Sequence, residues 1–206
     1  MTWTGRNPAW LFPLLAISFA TGCATSPATL TVRSTERQAA YAQNFTQAFA
    51  SETEDGTQEF ILVSDDAVKR TAHDPGGVLR PVGQTPLRQV VYVRVLWKPL
   101  NGVEKGITSN ASVDWYVFGN TSGTATDMLS YQGTAFANIK DGRGETKKVT
   151  LREGTIKPTA ARGALTDPIG IGRLQGNFVA VQNPHRLHEL LAAARARSAD
   201  ASAAAR

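Results

Sequence analysis

The chain is poor in the residues that make compact chemistry legible. Cys23 is its one cysteine in 206 residues. That excludes a disulfide framework, a Cys-ligated zinc site and a paired redox motif, so the fold is held by packing. Histidine is nearly as scarce, with only His73, His185 and His188. The G-x-S-x-G elbow of a hydrolase serine, the G-x-x-x-x-G-K phosphate loop and a G-x-G-x-x-G turn are all missing. Carboxylates such as Asp114, Glu145 and Glu153 are scattered, and no pair is assignable to glycoside hydrolysis. The expectation is a non-enzyme with no cofactor and no metal.

Charge of one sign is not concentrated either. Lys and Arg number 22 against 17 Asp and Glu, a formal net charge of +5. The basic residues are spread along the chain without a Lys/Arg block, which reads as a solvated mixed surface and gives no reason to expect a nucleic-acid partner. After the first residues no stretch is apolar enough to span a membrane.

What is present begins at the N-terminus. Arg6 and the initiating amine precede an apolar run from Trp10 to Ala20. About ten residues is too short to cross roughly 30 Å of hydrocarbon as a helix and matches the h-region of a signal peptide. Ala20-Thr21-Gly22 then lead to Cys23. This arrangement resembles the signal peptide and lipobox of bacterial lipoproteins, although Leu is commoner than Ala three residues before the cysteine. The resemblance implies thioether lipidation of Cys23, removal of residues 1–22 and acylation of the new amine. Ala24 in place of Asp resembles the class sorted to the outer membrane, with the domain facing the periplasm. Inner-membrane retention and plain secretion are the other readings.

Residues 23–34, rich in Ser, Thr, Ala and Pro, read as the lipidated terminus and a flexible tether. A single domain is expected over 35–197, and an Ala-rich disordered tail over 198–206. Within the domain, Tyr41, Phe45, Ala48 and Phe49 recur at helical spacing and predict a helix from Thr35 to Ala50. Gln58 to Ser64 reads as a strand, and Asp65 to Arg88 as a long connection. Strands follow over Arg88–Lys98, Ser112–Gly119, Met128–Ile139, Thr146–Ile156 and Leu174–Gln182. Asp141-Gly142-Arg143-Gly144 signals a hairpin turn. Asn183-Pro184 opens a final helix, with Asn as cap and Pro in the first helical position. The fold class expected is α+β: an antiparallel sheet of about five to six strands with N- and C-terminal helices packed on it. A β-sandwich with peripheral helices is the alternative.

Candidate functional residues are few. Tyr92, Tyr116 and Phe118 share a strand face and could line an exposed ligand or partner surface. His185 and His188 stand three apart near the start of the last helix, without a third ligand for zinc. His73-Asp74 lies in the long connection, where a base and an orienting carboxylate are conceivable. The reading is an envelope lipoprotein that serves as a non-catalytic interaction or assembly module, held to the membrane by its anchor and meeting an envelope protein. A module binding lipid, glycan or a small ligand is the alternative, and a periplasmic hydrolase the next.

Overall fold

Buried and exposed side chains alternate along most of the strands among the described residues, and this period of two makes this part of the chain a sheet. The computed structural model describes residues 28–37, 39–64, 88–97, 109–120, 126–163 and 165–203. Among these described residues nine strands run in order: β1 (Ala28–Ser34), β2 (Ala40–Phe45), β3 (Gln47–Glu52), β4 (Gln58–Ser64), β5 (Arg88–Val95), β6 (Ala111–Asn120), β7 (Thr126–Asp141), β8 (Thr146–Arg162) and β9 (Gly172–Gln182). The helix α1 (Pro184–Ala203) follows them.

The strands form a single mixed sheet in the order β2-β1-β9-β3-β4-β5-β6-β7-β8, and β8 also pairs with β9. The sheet therefore closes: β3 to β9 form a ring, and the β1–β2 hairpin leans on β9. One edge of β9 serves two partners, β1 antiparallel over Gly172–Asn177 and β3 parallel at Val181 and Gln182. The expected α+β fold with five to six strands is overturned, and so is the sandwich, since the sheet curls on itself.

The expected N-terminal helix is instead β2 and β3. Tyr41 and Phe45 satisfy a helical spacing and a strand alternation equally well. Gln43 between them also points inward and is buried. A polar residue at the middle inward position hides the alternation. Its Nε2 donates to Ser64 Oγ at 3.1 Å and to the Asn44 carbonyl at 2.7 Å, which satisfies the amide nitrogen there. Thr46 separates the two strands, and its N–H donates to the Val63 carbonyl at 3.0 Å. The residues read as tether from Ala28 onward form β1, with Leu30 and Val32 in the core. The tail read as disordered continues α1 to Ala203.

The ring's interior is filled by large side chains. Trp115, Tyr131, Phe60, Leu30, Leu62, Leu129, Leu151 and Ile156 are each under 2% exposed. Trp115 Nε1 donates to Gln89 Oε1 at 3.1 Å, so the indole is not left unpaired. Gly133 lies between two register shifts of β7 against β8, where a Cβ would run into the Thr155 carbonyl.

One mouth of the ring is closed by the segment before β9, where Leu165, Pro168 and Ile169 are buried. Tyr131 donates to Asp167 Oδ1 at 2.7 Å and Tyr41 to the Pro168 carbonyl at 2.8 Å. Burial, reinforced by the Asp167 hydrogen bond, pushes the Tyr131 phenol far above its ordinary range. At the other mouth Asn110 grips β7 from both sides. It accepts from the Ala137 N–H at 2.6 Å and donates to the Ala137 carbonyl at 3.0 Å.

Outside the ring, α1 packs Leu187, Leu190, Leu191, Ala194 and Ala201 on Ile61, Val63, Val90, Tyr92, Phe118 and Met128. This explains why β5 is apolar on both faces: Val91, Val93 and Val95 face the interior, while Val90 and Tyr92 lie under the helix. Asn183 Oδ1 accepts from the Arg186 N–H at 3.0 Å, the expected cap.

Candidate functional site: a basic outer wall

The face of the ring formed by β1, β9, β8 and the second half of β7 carries no helix among the described residues. Inward positions there are core residues: Val32, Ile139, Val149, Leu151, Ile156 and Leu174. Each has a cation as its chain neighbour, at the outward position: Arg33, Lys140, Lys148, Arg152, Lys157 and Arg173. All six cations are exposed.

Register brings them together. Arg33 stands directly opposite Arg173 across the β1–β9 pair, and Lys140 opposite Lys148 across β7–β8. Directly opposed residues have Cβ atoms about 5 Å apart, and like charges there are destabilising. The ion pairs among the described residues join Lys147 to Asp141 and Glu52, Arg186 to Glu189 and His188 to Glu59. None of the six wall cations takes part.

Two exposed acids stand on these strands: Asp141 at the end of β7, paired with Lys147, and Glu153, whose place is unusual. Leu151 pairs with Gly176 and Gly154 with Leu174, so Gln175 faces two residues, Arg152 and Glu153. The extra residue is a β-bulge that turns both side chains outward. Glu153 takes φ 51°, a left-handed conformation that a side chain rarely adopts. Beside the bulge runs a groove of about 390 Å³, lined by Thr31, Arg33, Ala40, Glu153, Arg173 and Gln175. Two guanidinium groups, an amide and a hydroxyl around an open groove form a set of donors suited to anionic oxygens.

The residues singled out in the sequence lie elsewhere. Cys23, His73 and Asp74 fall outside the described residues. Tyr92 and Phe118 are buried beneath α1, and Tyr116 is half-buried, stacked on Phe118 at 6.1 Å with an 8° interplanar angle. Arg195 lies 5.8 Å from the Tyr92 ring centre and Arg197 5.8 Å from that of Phe118. The helix thus covers much of the aromatic face. Tyr92 donates to Glu59 Oε1 at 2.6 Å, and burial, with that bond, pushes its phenol well up. Burial also raises the carboxyl pKa of Asp114 and the phenol pKa of Tyr116, the latter with help from the Asp114 charge.

His188 is exposed on α1 with Nε2 3.4 Å from Glu59 Oε2, and His185 is exposed in the first turn. The structure brings Tyr92, by a hydrogen bond, and His188, by a 3.4 Å contact, to the one carboxylate of Glu59, and leaves His185 out of it. Among the described residues no group of three His, Cys, Asp or Glu could hold a metal ion.

The wall was not readable from charge runs, because its cations come from four strands and are separated in sequence. The available signal was local: a cation next to a core residue in each strand. Only the order β7-β8-β9-β1 turns those single positions into one surface. Compared with known proteins, the chain matches no family model, no curated protein and no solved structure.

Proposed function

We propose that this chain is a lipid-anchored, non-catalytic module of the bacterial envelope, tethered through Cys23 with its barrel in the periplasm and meeting its partners through its outer surface. The observation that carries the reading is the division of the molecule into a filled interior and a charged exterior. Eight large side chains, Trp115 and Tyr131 among them, occupy the ring, while six cations gather on one outer wall without ion pairs among the described residues. Binding energy is therefore available outside the barrel, where these cations form no ion pair among the described residues. The outer membrane is the address favoured by Ala24 after the lipobox cysteine.

The test is membrane fractionation of the full chain beside Cys23→Ala. The wild-type chain is expected in the membrane fraction, cleaved before Cys23 and heavier by its acyl groups. Cys23→Ala is expected to be soluble or to keep residues 1–22. A Cys23→Ala chain that is cleaved at the same bond and equally membrane-bound contradicts the anchor. Purification in mild detergent tests the assembly role, and a lone monomer under several mild conditions counts against it.

A further inference from the structure

We propose that the β1-β9-β8-β7 wall docks on the anionic headgroups of the membrane that holds the chain, so that the barrel lies on its side with α1 turned away from the lipid. This deepens the reading above and rests on it for the anchor. Two independent observations support it. The first is charge. Arg33, Lys140, Lys148, Arg152, Lys157 and Arg173 face outward from one wall, with Glu153 among them and Asp141 at its end, paired with Lys147. The Arg33–Arg173 and Lys140–Lys148 oppositions work against pairing of the strands. A layer of phosphates relieves both.

The second observation is where the chain enters. Ala28, the first residue of β1, is part of this wall, since Thr29 pairs with Asn177 of β9. Cys23 precedes Ala28 by five residues, which span at most about 18 Å when fully extended. Arg33 lies five residues further along β1, roughly 17 Å at strand rise. An acylated Cys23 therefore keeps the wall within a few tens of ångströms of the headgroups, and the α1 side lies around the ring from it. Basic residues near an anionic surface are attracted over about a Debye length, some 8 Å at physiological salt. A tether this short brings the wall repeatedly into that range.

Arginine footprinting on vesicles tests the proposal. The purified full chain is bound to vesicles of phosphatidylglycerol and phosphatidylethanolamine, or of phosphatidylcholine alone, and treated with a dicarbonyl reagent. On the anionic vesicles Arg152 and Arg173 are expected to react about five-fold or more slowly than on the neutral ones, while Arg186 and Arg195 on α1 react equally on both. About 0.5 M NaCl, which shortens the screening length to a few ångströms, is expected to abolish the difference. In the Lys148→Gln/Arg152→Gln double variant the protection of Arg173 is expected to fall several-fold. Equal reactivity of the wall arginines on both vesicles overturns the proposal, as does protection centred on α1. The mass of the N-terminal peptide from the same sample reports Cys23 acylation separately. A protected wall on an unacylated chain keeps the docking and removes the anchor. An unprotected wall on an acylated chain does the reverse.

Discussion

Arg33 and Arg173 face each other across two antiparallel strands, both exposed and both on the outward side of the sheet. Such a pair does not stabilise a barrel. Opposed like charges cost on the order of 0.2–1 kcal/mol relative to neutral neighbours. Arg173→Thr is therefore expected to leave stability unchanged or raise it by up to about 1 kcal/mol. Leu174→Ala, one residue along and facing the core, is expected to lose about 2–5 kcal/mol. Urea unfolding of the two variants separates these signs. A clear loss in Arg173→Thr would mean that the arginine is structural.

Glu153 holds a left-handed backbone at the bulge, with φ 51°. A side chain there costs about 1–2 kcal/mol, and glycine avoids it while giving back up to about 1 kcal/mol in chain entropy. Glu153→Gly is expected to be neutral or stabilising by about 1 kcal/mol. Glu153→Val, branched at Cβ, is expected to destabilise. Denaturant midpoints for the pair decide it. Glu153→Gly also removes an acid from among the wall cations and is expected to strengthen retention on anionic vesicles.

Tyr131 reaches from the interior to Asp167, whose Oδ1 also accepts from the N–H groups of Ile169 at 2.9 Å and Gly170 at 3.0 Å. The tyrosine thus fixes the segment that closes one mouth. Tyr131→Phe keeps the ring volume and removes the bond to a carboxylate, an expected loss of about 1.5–3 kcal/mol. Hydrogen exchange is expected to rise over 165–171 more than in β5. Uniform change across the barrel would show that Tyr131 acts through packing alone.

Asp114 gives a pH-dependent prediction. Burial raises its carboxyl pKa above 3.8, against the Gln132 hydrogen bond and the Arg195 charge, which lower it. An acid raised in the folded state contributes stability below its unfolded pKa and loses it as pH rises through the folded value. At pH 7 the wild-type chain therefore carries a penalised carboxylate. Asp114→Asn is expected to be more stable than wild type at pH 7, and the advantage is expected to shrink as pH falls through the carboxylate range. Urea unfolding at several pH values checks the sign. A variant less stable at pH 7 would show that the Gln132 bond outweighs burial.

Much of the second half of the fold was legible in the sequence, and the reasons are local. β4, β5, β6 and β9 alternate or run apolar between turn residues. The Asp141–Gly144 turn marks the β7–β8 hairpin, and Asn183-Pro184 marks the start of α1. The first half is ambiguous in sequence where side chains serve two periods at once. Tyr41 and Phe45 fit a helix or a strand, and Gln43 hid the difference by being polar and buried. Closure of the ring was not legible at all. It depends on β9 meeting β1 and β3, contacts distant in sequence that no local pattern encodes. The wall was lost for the same reason, because Arg33 and Arg173 are 140 positions apart in numbering yet adjacent in register. The aromatic face was found, but the sequence did not show that α1 covers Tyr92 and Phe118.

The proposed docking of the β1-β9-β8-β7 wall on anionic headgroups is tested most directly by depth. With Cys23 acylated, a cysteine introduced as Gln175→Cys in the groove, or as Ala192→Cys on the exposed side of α1, is the single free thiol for a fluorophore. Quenching by lipids labelled at the headgroup is then compared for the two positions. On anionic vesicles the Gln175 site is expected to be quenched strongly and the Ala192 site weakly, with the contrast lost in about 0.5 M NaCl as screening shortens. Equal quenching at the two positions, or stronger quenching at Ala192, would contradict the account.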